Sequence, residues 1–315
     1  VRAKLAFFPR DTEQQKVLSL NTEPHALQTD DGLLFEWKDV GASKLNYNAV
    51  SQVETKEMLG KVRYKVQFPL GKLPKEVENY TRPSKHIDSD NPAIMAQASA
   101  LAEGEDDTFV VLFKLASWTE QNVKYDLSSL TADVSQKASW VLENKVGVCD
   151  EMTSLFIAMA RSLGIPARFV SGMAYTTSDK FDENWQAHGW AEAYIPSVGW
   201  VPFDPTFGEF GYVDVTHVKL QESMDPEETA TKYEWRGDVD IELGKINIDT
   251  SVDSAGAKSK DYVIIESEVL RDEVGFGSYN VVKASVENVK NAYFATTLHI
   301  GSSSEVEIDK KKVHM

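Results

Sequence analysis

One cysteine, Cys149, stands in 315 residues. A single thiol rules out an intrachain disulfide and a zinc site built from several cysteines. Cations are also scarce: 33 Lys and Arg face 49 Asp and Glu, for a net charge of −16. Binding a phosphate backbone needs clustered Lys and Arg, so nucleic acid is not an expected partner, and docking on anionic lipid is disfavoured. No apolar run approaches the roughly 20 residues of a membrane helix. Internal repeats and low-complexity tracts are missing too. The chain starts at Val1 with neither an initiator Met nor a signal peptide. We therefore expect a piece of a longer or processed chain, with any membrane anchor outside it. An extracellular or cell-surface location is expected, a cytoplasmic one being the alternative. The oligomeric state is left open. The sequon Asn79-Tyr80-Thr81 and the tripeptide Arg236-Gly237-Asp238 are short enough to occur by chance.

What is present supports full-sized cores: 42% of the residues are hydrophobic. The length suggests two or three domains. Residues 1–90 read as a β-rich N-terminal domain. Leu33 to Trp37 is a short apolar run after an Asp30-Asp31-Gly32 turn, and Val62, Tyr64, Val66 and Phe68 alternate as in a half-buried strand. Residues 91–220 read as a core that opens with helices at Pro92–Leu101, Thr108–Asn122 and Ala132–Asn144. Residues 221–235 are polar and acidic, a linker. Residues 236–315 return to β patterns at Val239, Ile241 and Leu243, at Val282, Ala284 and Val286, and at Val306 and Ile308. About five strands there suggest an immunoglobulin-like sandwich; the full fold has ~7, so the domain is expected either to be incomplete at Met315 or to hold strands that the pattern does not mark.

The stretch from Gly147 to Thr206 carries the chemistry. Cys149 is followed by apolar residues at helical spacing: Met152, Leu155, Phe156, Met159 and Leu163. Gly164 and Pro166 end that helix. Cys149 thus sits at a helix N-terminus, where the macrodipole favours a thiolate and lowers its pKa. The helix-start amides would also receive an oxyanion. A buried structural cysteine is the alternative reading.

Phe169–Met173, Ala187–Ile195 and Trp200–Asp204 read as strands. His188, Trp190, Glu192 and Tyr194 share one face of the second strand. Ala187, Gly189, Ala191 and Ala193 share the other, a small-residue face suited to packing on a helix. Pro196–Gly199 makes a hairpin turn between the second and third strands. That hairpin would bring His188 and Asp204 together, so that a carboxylate orients an imidazole and the imidazole deprotonates the thiol. Alternatively, His188 is a structural histidine and Asp204, before Pro205, a turn residue.

The motifs GVCDEMTSLFIAMARSLGIPARFVSG, AHGWAEAYI and GWVPFDPT together closely resemble the core of the transglutaminase-like superfamily, a relative of the papain fold. The resemblance covers roughly residues 92–215. It implies an α+β fold with a papain-like transglutaminase core flanked by the β-rich domains. It also implies a Cys149–His188–Asp204 triad running acyl-thioester chemistry on a protein or peptide substrate, without a cofactor or metal. Hydrolysis by a peptidase or amidase is expected first. Protein crosslinking is the alternative, and a non-catalytic binding module is the second. The family often places an upstream aromatic or Gln side chain near the oxyanion, and Trp118 and Tyr125 are the candidates by placement, while Trp190 is expected to wall the cleft at the substrate. Core packing is the plainer role for each. Glu143 stands where a papain-like enzyme has Gln, and Cys149-Asp150 replaces the Cys-Trp of animal crosslinking enzymes. The sequence carries no recognisable EF-hand loop, and it lacks the zinc-ligand cysteines of the peptide N-glycanases. Glu192 is expected to form a structural pair or to tune the site, and Arg168 to be solvated or salt-bridged.

Overall fold

The computed structural model describes the chain except residues 39–40, 42–43, 128–134, 229, 237–241, 258–260 and 302–305. In chain order the first strands are β1 (Arg2–Leu5), β2 (Gln15–Glu23), β3 (Leu27–Thr29), β4 (Gly32–Glu36) and β5 (Asn48–Thr55). Then come α1 (Lys75–Glu78), α2 (Pro92–Ala102), α3 (Thr108–Asn122), β6 (Lys124–Tyr125), α4 (Ala138–Asn144), β7 (Val146–Gly147) and α5 (Cys149–Ser162). Five strands follow: β8 (Ala167–Tyr175), β9 (Trp185–Ile195), β10 (Gly199–Asp204), β11 (Glu209–Phe210) and β12 (His217–Ser223). The remainder is β13 (Thr231–Glu234), β14 (Val263–Val269), β15 (Val282–Asn288), β16 (Thr297–His299) and β17 (Lys312–His314). The architecture is α+β. No helix among the described residues is long and apolar enough to cross a membrane.

The core is one helix wrapped on both sides. Every residue of α5 from Glu151 to Arg161 is buried. Its Leu155, Phe156 and Met159 share a cluster with Ile94 of α2, Leu112 of α3 and Val141 of α4, and with Ala191 and Ala193 of β9. The small residues of β9 thus face the helix, as their alternation implied. Local signals start and stop the helices. Asn91 accepts the Ala93 N–H at 2.9 Å and Asp107 the Phe109 N–H at 2.9 Å, each satisfying an orphan donor of the first turn. At the end of α5, Gly164 takes φ +75°, the Ile165 N–H reaches the Ala160 carbonyl, and the Gly164 N–H reaches that of Arg161. This is a Schellman stop. Buried Arg161 then ties the helix end to the carbonyls of Ala167, Arg82 and Met224.

Against α5 lies an antiparallel sheet in the order β11-β10-β9-β8-β12. A second sheet, β13-β1-β4-β3, forms its own small core of Ala3, Leu5, Phe8, Leu33 and Phe35. Several expectations differ from this arrangement. Val62 to Phe68 forms no strand apart from a single bridge from Gln67 to Asp107. Its backbone instead bonds the starts of other segments, Val66 O taking the Thr108 N–H and Phe68 N–H going to Asp106 O. Val62, Phe68 and Ile87 join the main core, so packing unites them with the helices. Residues 221–235 are not a free linker: β12 extends through them to Ser223, and β13 pairs with β1.

The C-terminal region is β-rich but not a sandwich among the described residues. It holds two separate antiparallel pairs, β14–β15 and β16–β17. Ile265 pairs with Val286, yet both faces of that ladder, its apolar side chains included, are largely exposed, so no second sheet covers it among the described residues. Val306 and Ile308 lie in the connection between β16 and β17. Val134, Val239, Ile241 and the Gly237-Asp238 part of the tripeptide fall outside the described residues.

Candidate active site

The parallel pair β6–β7 delivers the nucleophile candidate. It sets Tyr125 opposite Gly147, two residues before Cys149. A Cβ at Gly147 would lie 2.6 Å from the Glu151 Cβ, so only glycine lets the chain fold so tightly over the first turn of α5. Glu151 uses that closeness. Its carboxylate accepts the Val148 N–H at 3.0 Å and the Gln136 N–H at 3.2 Å, half of a capping box that pins the helix start. The Cys149 N–H is left at the open end of the helix, where positive backbone charge gathers.

Strand β9 comes unusually close to this helix start. A Cβ at Gly189 would sit 2.4 Å from Phe169 and 2.6 Å from an oxygen of Asp150. Thr153 Oγ1 donates to the Gly189 carbonyl at 3.0 Å and fixes the approach. The neighbouring residue, His188, is therefore carried to the mouth of the helix.

The β9–β10 hairpin turns through Pro196–Val198, with Ser197 at φ +64° and Gly199 at φ +94°. Its register pairs Phe203 with Ala191, and Asp204 ends the strand. His188 Nε2 donates to Asp204 Oδ2 at 2.6 Å. Asp204 is wholly buried, and its other oxygen accepts the backbone N–H groups of Thr206 (2.7 Å) and Phe207 (3.1 Å). Burial alone would raise this carboxyl. The bond from His188, with the bond and charge of His217, outweighs it and holds the carboxyl far below the usual carboxylate range. With Nε2 committed to Asp204, Nδ1 is the ring nitrogen His188 can offer to a thiol. Phe207 stands edge-on to the ring, centroids 4.9 Å apart.

Cys149 and His188 line one cleft of about 650 Å³, together with Tyr125, Asp150, Lys180 and Phe207. Cys149 is half-buried. A lowered thiol pKa was expected from the helix terminus, but the surroundings push it the other way. Burial comes first and the Asp150 carboxylate second, against a smaller pull from the Gly189 N–H. Asp150 itself is pushed up by burial and by Glu151. The thiol lies 3.6 Å from Asp150 Oδ1, so at rest it is held as a protonated donor.

Two of the aromatic candidates stand away from the cleft. Trp190 is 2% exposed and packs with Val170 and Val213 beneath the site, its ring edge-on to His217. It shares the His188 face of β9 and stacks on that ring with centroids 6.1 Å apart, but it is buried in a cluster with Val170 and Val213. Trp118 packs on the main core, and Lys145 Nζ covers its ring at 4.2 Å. Tyr125 does line the cleft, and burial first, then Cys149 and Asp150, raises its phenol pKa. Glu192 and Arg168 belong to a structural ion network: Glu192 lies 2.6 Å from Arg168 and 2.8 Å from Lys219.

Sequence reasoning missed His217. Its Nε2 lies 3.2 Å from Asp204 Oδ2 and its Nδ1 3.0 Å from Asp214 Oδ1. The only signal was a histidine at the head of an alternating segment, HVKL. Among the described residues, two sets of side chains bring three ligand-type atoms within 4.8 Å of one another: His188–Asp204–His217 and Glu209–Asp214–His217. Bonds from His217 and His188 to the carboxylates of Asp204 and Asp214 account for this clustering.

Residues 96–205 match the model of the transglutaminase-like superfamily. Uncharacterized protein YebA of Bacillus subtilis is 30% identical over 156 residues, 44% of this chain and 21% of that protein. An uncharacterized Haemophilus influenzae protein is 26% identical over 178 residues, 50% of this chain and 45% of that one. The chain thus spans less than half the length of the curated relatives it matches. The crystal structure of a candidate cysteine protease from Cytophaga hutchinsonii superposes with a TM-score of 0.53 at 21% identity, over 73% of this chain and 79% of that one. That likeness is one of fold.

Proposed function

We propose that this chain, which carries a core of the transglutaminase-like superfamily, is a cysteine-dependent acyl-transfer enzyme that hydrolyses amide bonds of a protein or peptide substrate. The observation that carries the reading is the 2.6 Å His188–Asp204 bond on the wall of the cleft that Cys149 lines. In the proposed cycle Cys149 Sγ attacks the amide carbonyl while its proton passes to His188 Nδ1. The C–S bond forms, and the carbonyl oxygen becomes an oxyanion facing the helix-start amides. His188 then gives the proton to the leaving amine as the C–N bond breaks, leaving a thioester. Water attacks the thioester, losing its proton to His188, and the thiol departs with that proton. Asp204 keeps Nε2–H in place throughout.

The raised thiol pKa argues for proton transfer during attack rather than a standing thiolate. Water is the proposed acceptor because Cys149 stays half-exposed in an open cleft. The test is the iodoacetamide alkylation rate of Cys149 against pH, in the wild type and in His188→Ala. Because His188 takes the thiol proton as the sulfur attacks, wild type should react near neutral pH despite the raised thiol, whereas the variant should react only above the ordinary thiol range of about 8.5. Identical profiles would sink the triad. Release of amine from a peptide, without incorporation of a fluorescent amine into a Gln peptide, then separates hydrolysis from crosslinking.

A further inference from the structure

We infer that His217 is a positioning residue of the site: a buried imidazolium that shares Asp204 with His188 and locks the carboxylate in the orientation that leaves His188 Nδ1 free. The inference rests on the proposed triad and adds a fourth member to it.

The argument starts from donor counting. The His217 side chain is completely buried. Each of its ring nitrogens faces a carboxylate oxygen, Nε2 to Asp204 at 3.2 Å and Nδ1 to Asp214 at 3.0 Å. An ionised carboxylate only accepts, so both ring nitrogens carry protons and the ring is a cation. Asp214 cannot be the donor instead. Its Oδ1 already accepts the Thr216 N–H at 2.8 Å and the Thr216 hydroxyl at 2.5 Å.

The groups facing His217 come from every neighbouring element. Asp204 ends β10, Glu209 of β11 lies 3.8 Å away, and Asp214 precedes it in the loop. His188 of β9 has its ring centroid 5.6 Å away. Trp190 and Phe207 close the remaining sides edge-on. Burial works against the cation, but bonds to Asp204 and Asp214 outweigh it and bring the ring pKa up to about 10. Glu209 is pushed up to about 8, chiefly by burial, so at neutral pH it is mostly protonated. The cation then balances two anions, Asp204 and Asp214.

This arrangement bears on the site chiefly through Asp204. Asp204 Oδ2 receives two ring N–H groups and Oδ1 two backbone N–H groups. Four donors leave it one orientation. Loss of the His217 donor frees a lone pair on Oδ2 and leaves a buried anion with less compensation. The carboxylate then has reason to turn, and His188 loses its fixed tautomer.

Nitrogen-15 NMR of the histidine side chains in the full chain tests this. At about pH 8 the wild type should show both His217 nitrogens protonated, against an unperturbed imidazole pKa of ~6.5, and the His188 proton of the Asp204 bond on Nε2. In His217→Leu the His188 signals should report mixed tautomers, and Cys149 alkylation should fall about tenfold across the pH range. His217→Gln restores a neutral donor to Asp204. It should return the single tautomer and bring the rate to within roughly threefold of wild type. A singly protonated His217 at that pH overturns the inference, and so does a folded His217→Leu protein with an unchanged His188 tautomer. If His217→Leu does not fold, the wild-type spectrum and His217→Gln decide the matter. Failure of the triad itself reads out separately, as unchanged alkylation in His188→Ala.

Discussion

Gly189→Ala places one methyl group between the nucleophile helix and the histidine strand. The new Cβ would stand 2.4 and 3.0 Å from two ring carbons of Phe169 and 2.6 Å from Asp150 Oδ1. Carbon atoms rest at about 3.5–4.0 Å, so β9 must shift by roughly 1 Å from the Phe169 ring of β8 and the Asp150 oxygen of α5. Phe169 is 1% exposed within the main core and cannot yield. Overpacking of this kind costs about 1–3 kcal/mol. Replacing glycine in a strand returns about 0.5–1 kcal/mol of chain entropy, so the net loss should lie within about 0–2.5 kcal/mol and centre near 1 kcal/mol. Urea unfolding followed by tryptophan fluorescence should show a lower midpoint with an unchanged slope. The control is Gly71→Ala, where a Cβ meets nothing within 4 Å, and which should stay within about 0.5 kcal/mol of wild type. The functional effect should be larger than the stability effect. A 1 Å displacement of His188 from Cys149 is worth up to about a hundredfold in a positioned reaction. Alkylation of Cys149 at neutral pH should therefore fall by at least about tenfold. A Gly189→Ala protein with wild-type midpoint and wild-type alkylation would refute the claim that this close approach sets the site.

Two further perturbations probe the supports of the site. Glu192 sits between Arg168 and Lys219, and although burial opposes it, those two cations bring its carboxyl down to about 2. Because the folded pKa is depressed, its stabilisation is complete above the ordinary carboxylate range of about 4.3 and drains away as pH falls towards 2. Glu192→Gln should cost about 3 kcal/mol at neutral pH and flatten the loss of stability between those limits, read from urea midpoints across pH. Glu151→Ala removes the acceptor of the Val148 and Gln136 N–H groups. It should cost about 1–3 kcal/mol and slow Cys149 alkylation, while Glu151→Gln, which keeps one acceptor oxygen, should recover part of both.

Much of the site could be read along the chain because its parts are local. A helix that begins at Cys149 and stops at Gly164 is set by residues a few places apart. A short hairpin turning at Pro196–Val198 makes β9 and β10 adjacent, and from there the 2.6 Å His188–Asp204 contact follows within one ladder. Alternation along β9 likewise told which face carries small residues for the helix, since side-chain direction in a strand has period 2. It could not tell what covers the other face. Trp190 shares that face with His188 but is buried in a cluster with Val213, a neighbour that no local pattern names.

The remaining properties belong to contacts distant in sequence or to summed environment. His217 reaches Asp204 because β12 joins β8 at the sheet edge and the loop after β11 turns it inward. The state of the thiol illustrates the difference best. Position at a helix start predicts a lowered pKa, through backbone dipoles fixed by local geometry. Burial against β9 and the facing Asp150 reverse the sign. Desolvation and nearby charge depend on everything packed around the sulfur, and only the assembled fold sets them.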